Sequence, residues 1–408
     1  MRVGRVSGRG EKRHQPSRPG TTKTVGMLEQ PPLSLYMHVP WCIRKCPYCD
    51  FNSHAVKSDI PEQAYVDALC QDFELEAARL GQSSSGISSI FIGGGTPSLL
   101  SAAAYERLLS HIDAVFGLES AAEITLEANP GTAEAKRFLE YRAAGINRLS
   151  IGVQSFNEAH LKTLGRIHSG NDARRAIEYC TAAGFDNFNL DLMHGLPGQT
   201  EDEALDDIET ALNFEPPHLS WYQLTIEPNT EFFSKPPALP AEGLLDTIHQ
   251  RGQQLLESRG YGRYEVSAFC QPGRESRHNL NYWLFGDYLG IGAGAHGKLT
   301  QPDNNLILRT RKKKQPDHYL ASELSRTAEA TAVAPEDRAL EFLLNGLRLV
   351  NGFSIQEFET RTGVTFSQIG KRVEYLASLE LLNVNHGRVR ATEHGYRVLN
   401  SLLEEFIE

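Results

Sequence analysis

At 408 residues, with 40% hydrophobic side chains, the chain is long enough to bury one large core and a smaller second one. Its formal net charge of −10 argues against nucleic acid as the main partner, because phosphate binding draws on clustered Lys and Arg. Six cysteines, three of them in one short loop, do not make a secreted disulfide framework, and no apolar run reaches membrane-spanning length. The N-terminus also lacks the apolar core of a signal peptide, so the expectation is a soluble cytoplasmic protein.

Residues 1–26 carry seven Lys and Arg against one acid and almost nothing apolar, which predicts a disordered basic extension. It reads either as an arm for an acidic surface or as a dispensable lead-in. Leu33 to Val39 is a short apolar run expected to form a β-strand. It delivers Cys42-Ile43-Arg44-Lys45-Cys46-Pro47-Tyr48-Cys49, where three thiols at CxxxCxxC spacing crowd into one loop. Thiolates favour an iron–sulfur cluster or zinc over hard cations. Three sulfurs would leave one iron of a cubane open, whereas a closed zinc site needs a fourth ligand, for which His38 and His54 are candidates.

Pro61 to Leu80 follows as a predicted helix, with Tyr65, Leu69, Phe73 and Ala77 along one face and Cys70 as a small buried hydrophobe. A strand at Ile87 to Ile92 runs into Gly93-Gly94-Gly95-Thr96-Pro97, where glycines let backbone approach a ligand closely, and a helix follows from Ala102 to Phe116. Strands at Glu123 to Glu127, Arg148 to Val153, Phe188 to Leu192 and Leu219 to Thr225 alternate with helices near 132–143, 172–183, 201–213 and 241–259. Six such units predict parallel βαβ connections and an open, partial TIM-like (β/α)6 barrel, with ligands at the C-terminal ends of its strands.

Residues 262–300, rich in Gly and aromatics, should close one side of this barrel. The polar stretch to Ala334, with Arg309 to Lys314, reads as a connecting segment bearing an exposed basic patch. From Pro335 three short helices, a hairpin at Leu382 to Arg390 and a last helix outline a winged-helix-like domain. Eight Lys and Arg against eleven Asp and Glu in residues 335–408 argue against a DNA-binding role. A domain that covers the barrel mouth or meets a partner fits better. The expected divisions are 1–30, 31–300, 301–334 and 335–408.

The cysteine spacing, with Tyr48 before the last thiol, resembles the signature of radical S-adenosylmethionine (SAM) proteins. The longer stretch from Tyr36 to His54 is similar to their coproporphyrinogen dehydrogenase-like branch, and within it to the haem chaperones. The resemblance implies a [4Fe-4S] cluster on Cys42, Cys46 and Cys49. It also implies SAM near Tyr36 and Tyr48, with Gly94, Gly95 and Thr96 at the methionyl amino group and Glu127 at the ribose hydroxyls. Gln154, Arg166 and Asp191 match the remaining polar positions, and the fork of an arginine suits a carboxylate. Without the cysteines, Arg166 and Asp191 would read as an ion pair at a barrel rim.

Two activities are implied. One is radical oxidative decarboxylation of coproporphyrinogen III, and the other is haem binding and delivery to acceptor haem proteins. The dehydrogenases resemble CxxxCxxCxC and carry a longer folded N-terminal segment. Here Phe51 stands in place of the further cysteine, which favours the carrier, and SAM cleavage stays open. Haem needs an axial ligand and an apolar slot, for which His278 among aromatics and His296 are the candidates. The bland alternative for each is a hydrogen-bonded core or rim histidine. A monomer or cluster-dependent dimer is expected, with at most transient membrane-surface contact.

Overall fold

Alternation of side chains along six parallel strands sets the architecture. The strands are β1 (Leu33–Val39), β2 (Ile87–Gly94), β3 (Leu118–Ala128), β4 (Arg148–Gln154), β5 (Phe188–His194) and β6 (His218–Gln223). Leu35, Met37, Ile90, Ile92, Leu126, Leu149, Ile151, Leu190, Leu192 and Leu219 form one buried apolar cluster with the surrounding helices. Neighbouring strand positions point to the opposite face. That inner face is polar: Ser34, His38, Ser89, Glu123, Thr125, Arg148, Ser150, Asn189 and His218 are all buried.

The computed structural model describes residues 26–56, 59–80, 86–131, 137–322 and 324–407. Six further strands extend the parallel set: β7 (Gly262–Arg263), β8 (Ala268–Cys270), β9 (Asp287–Ile291), β10 (His296–Gln301), β11 (Leu306–Lys312) and β12 (Thr327–Ala332). The order is β12-β11-β10-β9-β1-β2-β3-β4-β5-β6-β8-β7, with β9 parallel to β1, so the sheet is an open barrel with β12 and β7 at its edges.

Residues 262–300 therefore do not close one side. They split, with β7 and β8 extending the β6 edge and β9 and β10 the β1 edge. Between them the helix Arg277–Trp283 plugs the strand N-terminal end, where Asn281 Nδ2 donates to Ser34 Oγ at 2.9 Å. The predicted helix near 132–143 falls partly on undescribed residues, and its described part is Phe138–Ala143.

The segment expected to be connecting structure is sheet. β11 and β12 pair through Leu308–Ala332 to Lys312–Thr327, and Lys312, expected in an exposed patch, is buried. Its ammonium donates to Asp72 at 2.5 Å and Glu76 at 2.8 Å on the helix Glu62–Ala77, while Tyr319 OH donates to Asp72 at 2.7 Å. The inward side chain of β11 at 312 meets an acidic helix face, which explains why Lys312 is not free.

A second core holds the C-terminal domain, around Phe342, Phe353, Phe358, Val373, Leu376 and Val389. Helices Arg338–Gly346, Ile355–Thr362 and Ser367–Ser378 and a three-stranded sheet of Phe353–Ser354, Arg388–Ala391 and Leu382–Asn385 give the winged-helix outline. It does not cover the barrel mouth. It packs at the strand N-terminal end, where Arg309 bonds Glu341 at 2.6 Å and the Arg348 guanidinium lies 4.6 Å from the Trp283 ring centre.

Residues 26–30 also depart from the expected extension. Gly26 N–H donates to Gly363 O at 2.6 Å, Glu29 N–H to Thr360 O at 2.9 Å, and Leu28 is buried in the second core. Residues 1–25 lie outside the described residues.

Removing a buried cation leaves its partner carboxylates unpaired. Lys312→Met should therefore lower unfolding free energy by about 3–5 kcal/mol, read from urea midpoints at constant m-value. A shift within error would show that Asp72 and Glu76 do not depend on it.

Candidate functional site

The site begins where β1 ends. Pro40 is followed by the two-residue strand Trp41–Cys42, which pairs in parallel with His54–Ala55, so the cysteine loop is pinned at both ends. The strand-end glycines hold it from below: Gly95 N–H donates to Val39 O and Thr96 N–H to Trp41 O, both at 2.7 Å.

Side chains have little room at these glycines, and least at Gly95. A Cβ at Gly93 would lie 2.9 Å from the Phe91 ring and 3.0 Å from Glu127. One at Gly94, whose φ is +117°, would stand 2.6 Å from the His38 ring, and one at Gly95 would collide with Trp41 O. Gly94 N–H donates to Glu127 Oε2 at 3.1 Å. The amides of residues 94–96 are thus spent inside the protein, and the segment offers a ligand carbonyl oxygens, acceptors suited to an ammonium.

One cavity of about 430 Å³ opens above. Its lining includes Cys42, Cys46, Cys49, Tyr48, Gly94, Gly95, Thr96, Glu127, Gln154, Arg166 and Asp191. Eleven of the twelve residues expected at the cluster or SAM are thus brought together. Tyr36 is not among them: it lies in the barrel interior, with its hydroxyl 2.9 Å from His38 Nδ1 and its ring stacked on Phe91. Position 36 points inward two residues below His38, which explains its place beneath the cavity floor.

Both His38 nitrogens are engaged, Nδ1 with Tyr36 OH and Nε2 with Asn52 O at 2.9 Å, so His38 is a strut of the loop and not a fourth metal ligand. Burial pushes the Cys42 and Cys49 thiols up, and a bound metal must displace those protons. Arg166 directs NH1 to Cys46 Sγ at 3.7 Å and NH2 to Asn129 Oδ1 at 2.6 Å and Gly152 O at 2.8 Å. It is therefore no simple ion-pair partner of Asp191, whose oxygens accept from Ser150 Oγ at 3.0 Å and Asn189 Nδ2 at 2.9 Å.

Gln154 ends β4 with φ +68°, a left-handed conformation unusual for a non-glycine residue and of the kind that collects at ligand sites. Tyr222 OH donates to its Oε1 at 2.6 Å. Asn129, Met193 and Tyr222 also line the cavity and were missed. The signal for Tyr222 was the period-2 series His218, Ser220, Tyr222.

The two haem-ligand candidates lie apart from this cavity. His278 sits on the plug helix, its ring stacked on Phe91 at 4.8 Å between centres. Its backbone N–H faces Glu123 at 3.4 Å, and among the described residues its Nδ1 has no hydrogen-bond partner. Burial, then Arg148, brings its pKa down to about 4, so it is a neutral imidazole. His296 opens β10 and is exposed.

Residues 36–211 match the radical SAM superfamily and residues 333–398 the HemN C-terminal domain. The heme chaperone HemW of Haemophilus influenzae is 50% identical over 383 residues, spanning 93% of this chain and 99% of that protein. The chain belongs to the HemW family of radical SAM proteins. HemW of Escherichia coli is likewise 50% identical over 384 residues, 93% of this chain and 100% of its own. The solved structure of E. coli coproporphyrinogen III oxidase (HemN), a radical SAM enzyme, aligns with TM-score 0.77 over 92% of this chain and 90% of that one. At 23% identity this shows the shared fold. Among the described residues no helix is long and apolar enough to cross a membrane.

The Glu127 carboxyl is pushed up to about 8, by burial first and by Asp191 second. A carboxyl with a raised folded pKa stabilises fully below its unfolded value near 4.5, and that contribution is lost as pH rises through about 8. In ligand-free protein, the stability of wild type relative to Glu127→Gln should fall between those two pH values and level off beyond them. Urea midpoints across pH test this, and a flat difference would contradict it.

Proposed function

We propose that this HemW-family protein is a haem chaperone that binds haem and hands it to acceptor haem proteins in the cytoplasm. In this reading Cys42, Cys46 and Cys49 carry a [4Fe-4S] cluster, and the cavity beside them takes SAM. The donor set fits both. Three thiols share one pinned loop, Glu127 and Asp191 offer half-buried carboxyls to a cationic, hydroxyl-bearing ligand, and Arg166 offers a fork to its carboxylate. Once bound and reduced, a cluster of this kind would supply an electron to SAM. The chain's own part is to hold the ligand, exclude water and keep charge matched, and a cation in the cavity would draw Glu127 back toward its ionised form.

The observation that carries the choice of carrier over enzyme is Phe51. It is 58% exposed at the cavity lip, in the position where the dehydrogenase pattern has a further cysteine. The naming of two relatives of 50% identity as heme chaperones supports the same reading. Coproporphyrinogen III dehydrogenase is the second reading, favoured by the shared HemN fold.

For the haem ligand, the neutral His278, whose Nδ1 finds no hydrogen-bond partner among the described residues, is the first candidate and the exposed His296 the second. Anaerobically reconstituted protein should bind haem with a shifted Soret band and release it to an apo-haem protein. His278→Ala should weaken that binding roughly tenfold or more, equivalent to about 1.4 kcal/mol. Supplied with coproporphyrinogen III, SAM and reductant, it should give no decarboxylated product. Product at enzymatic rates would overturn the carrier reading.

A further inference from the structure

The inner face of the barrel holds a column of buried polar groups that runs from the cavity to the plug helix. Its direction can be worked out from the amide of Asn189. Asn189 Oδ1 only accepts, so His218 Nδ1, 2.7 Å away, is the nitrogen that carries the proton. His218 Nε2 is then an acceptor, and Tyr264 OH donates to it at 2.9 Å. Asn279 Nδ2, next to His278 on the plug helix, donates to the Tyr264 oxygen at 3.4 Å. In the other direction Asn189 Nδ2 donates to Asp191 Oδ1 at 2.9 Å and to Ser150 Oγ at 2.8 Å, and Ser150 donates to Asp191 Oδ2 at 3.0 Å. Every donor along the column points towards Asp191, whose carboxyl lines the cavity.

Chains of hydrogen bonds that share one direction polarise each other, and they strengthen most when the terminal acceptor carries full charge. A cationic ligand beside Asp191 favours that charge. The far end of the column is part-buried at Asn279, on a helix whose N-terminus is held by Glu123 through the Ser276 hydroxyl at 3.3 Å and the Arg277 N–H at 3.0 Å.

We infer that His218 is a positioning residue through which the SAM cavity and the His278-bearing helix are energetically coupled, so that each ligand changes the protein's affinity for the other. His218 touches neither ligand. It fixes Asn189, which fixes Asp191, and through Tyr264 it fixes Asn279. This inference rests on the reading that haem is held through the plug helix.

The test uses full-length, cluster-loaded protein. Haem affinity is read from Soret titration with and without saturating SAM, and SAM affinity from calorimetry with and without haem. In wild type the two affinities should change by the same factor, roughly fivefold or more, since linkage is reciprocal. His218→Leu removes both bonds and should bring the factor to near one with both ligands still bound. His218→Gln, which retains a donor and an acceptor, should restore part of it. Asn279→Ala cuts the column at its outer end without opening the barrel and should act like His218→Leu. A factor of one in wild type with both ligands bound, or an unchanged factor in both His218→Leu and Asn279→Ala, would overturn the inference alone. Failure to bind haem at all would instead overturn the functional reading beneath it.

Discussion

Everything at the functional end depends on one close approach of backbone to backbone. The strand-end segment Gly94 to Thr96 lies directly against the root of the cysteine loop, bonding to Val39 and Trp41, and a side chain at 95 would collide with the Trp41 backbone. Because the contact is main chain to main chain, it fixes the loop relative to β1 and β2 more tightly than side-chain packing could. From it follow the place of the three thiols, the burial of Glu127 under Gly94, and the cavity wall shared by loop and strand ends. The loop is braced from the far side as well, with Phe232 N–H donating to Pro47 O at 3.0 Å and Tyr48 packing beside Phe232.

The second constraint is the polar barrel interior. Burying so many polar groups would be costly without partners, and the structure supplies them in layers: Asp191 with Ser150 and Asn189, His218 with Tyr264, and Glu123 with the start of the plug helix. A hydrocarbon-filled barrel would be indifferent to what binds at its mouth. One filled with oriented dipoles is not, and its filling ends on the helix that carries His278. The winged-helix domain packs against that same end, through Trp283 and Arg348, far from the cysteines.

Much of this was legible in the residues. The alternation of strands and helices gave the parallel sheet, and the spacing at 42, 46 and 49 pointed to the loop that lines the cavity. Glu127, Gln154 and Asp191 came from the resemblance to radical SAM proteins, and the parallel sheet brings them together at one cavity toward the C-terminal ends of its strands. What could not be read was long-range pairing. Lys312 looks like part of a solvated basic run until β11 is laid against the helix bearing Asp72 and Glu76, 240 and 236 residues away. Tyr36 shares the inward face with His38, and its depth along β1, below the cavity lining, is what the count of residues to Cys42 does not give. The period-2 series through His218 gives its face but not its partners, which come from another strand and from residues past 260. The clamp on residues 26–30 was hidden for the same reason, its partners lying at Thr360 and Gly363.

The central claim is that the three thiols hold a cubane iron cluster with one iron open to SAM. Electron paramagnetic resonance of the anaerobically reconstituted, dithionite-reduced protein tests it most directly, with iron and sulfide content measured on the same sample. The account predicts about four irons per chain, a [4Fe-4S]⁺ signal that changes on adding SAM, and loss of both when Cys42, Cys46 and Cys49 are replaced by alanine. A single bound zinc, a signal indifferent to SAM, or iron content unaffected by the triple substitution would contradict it.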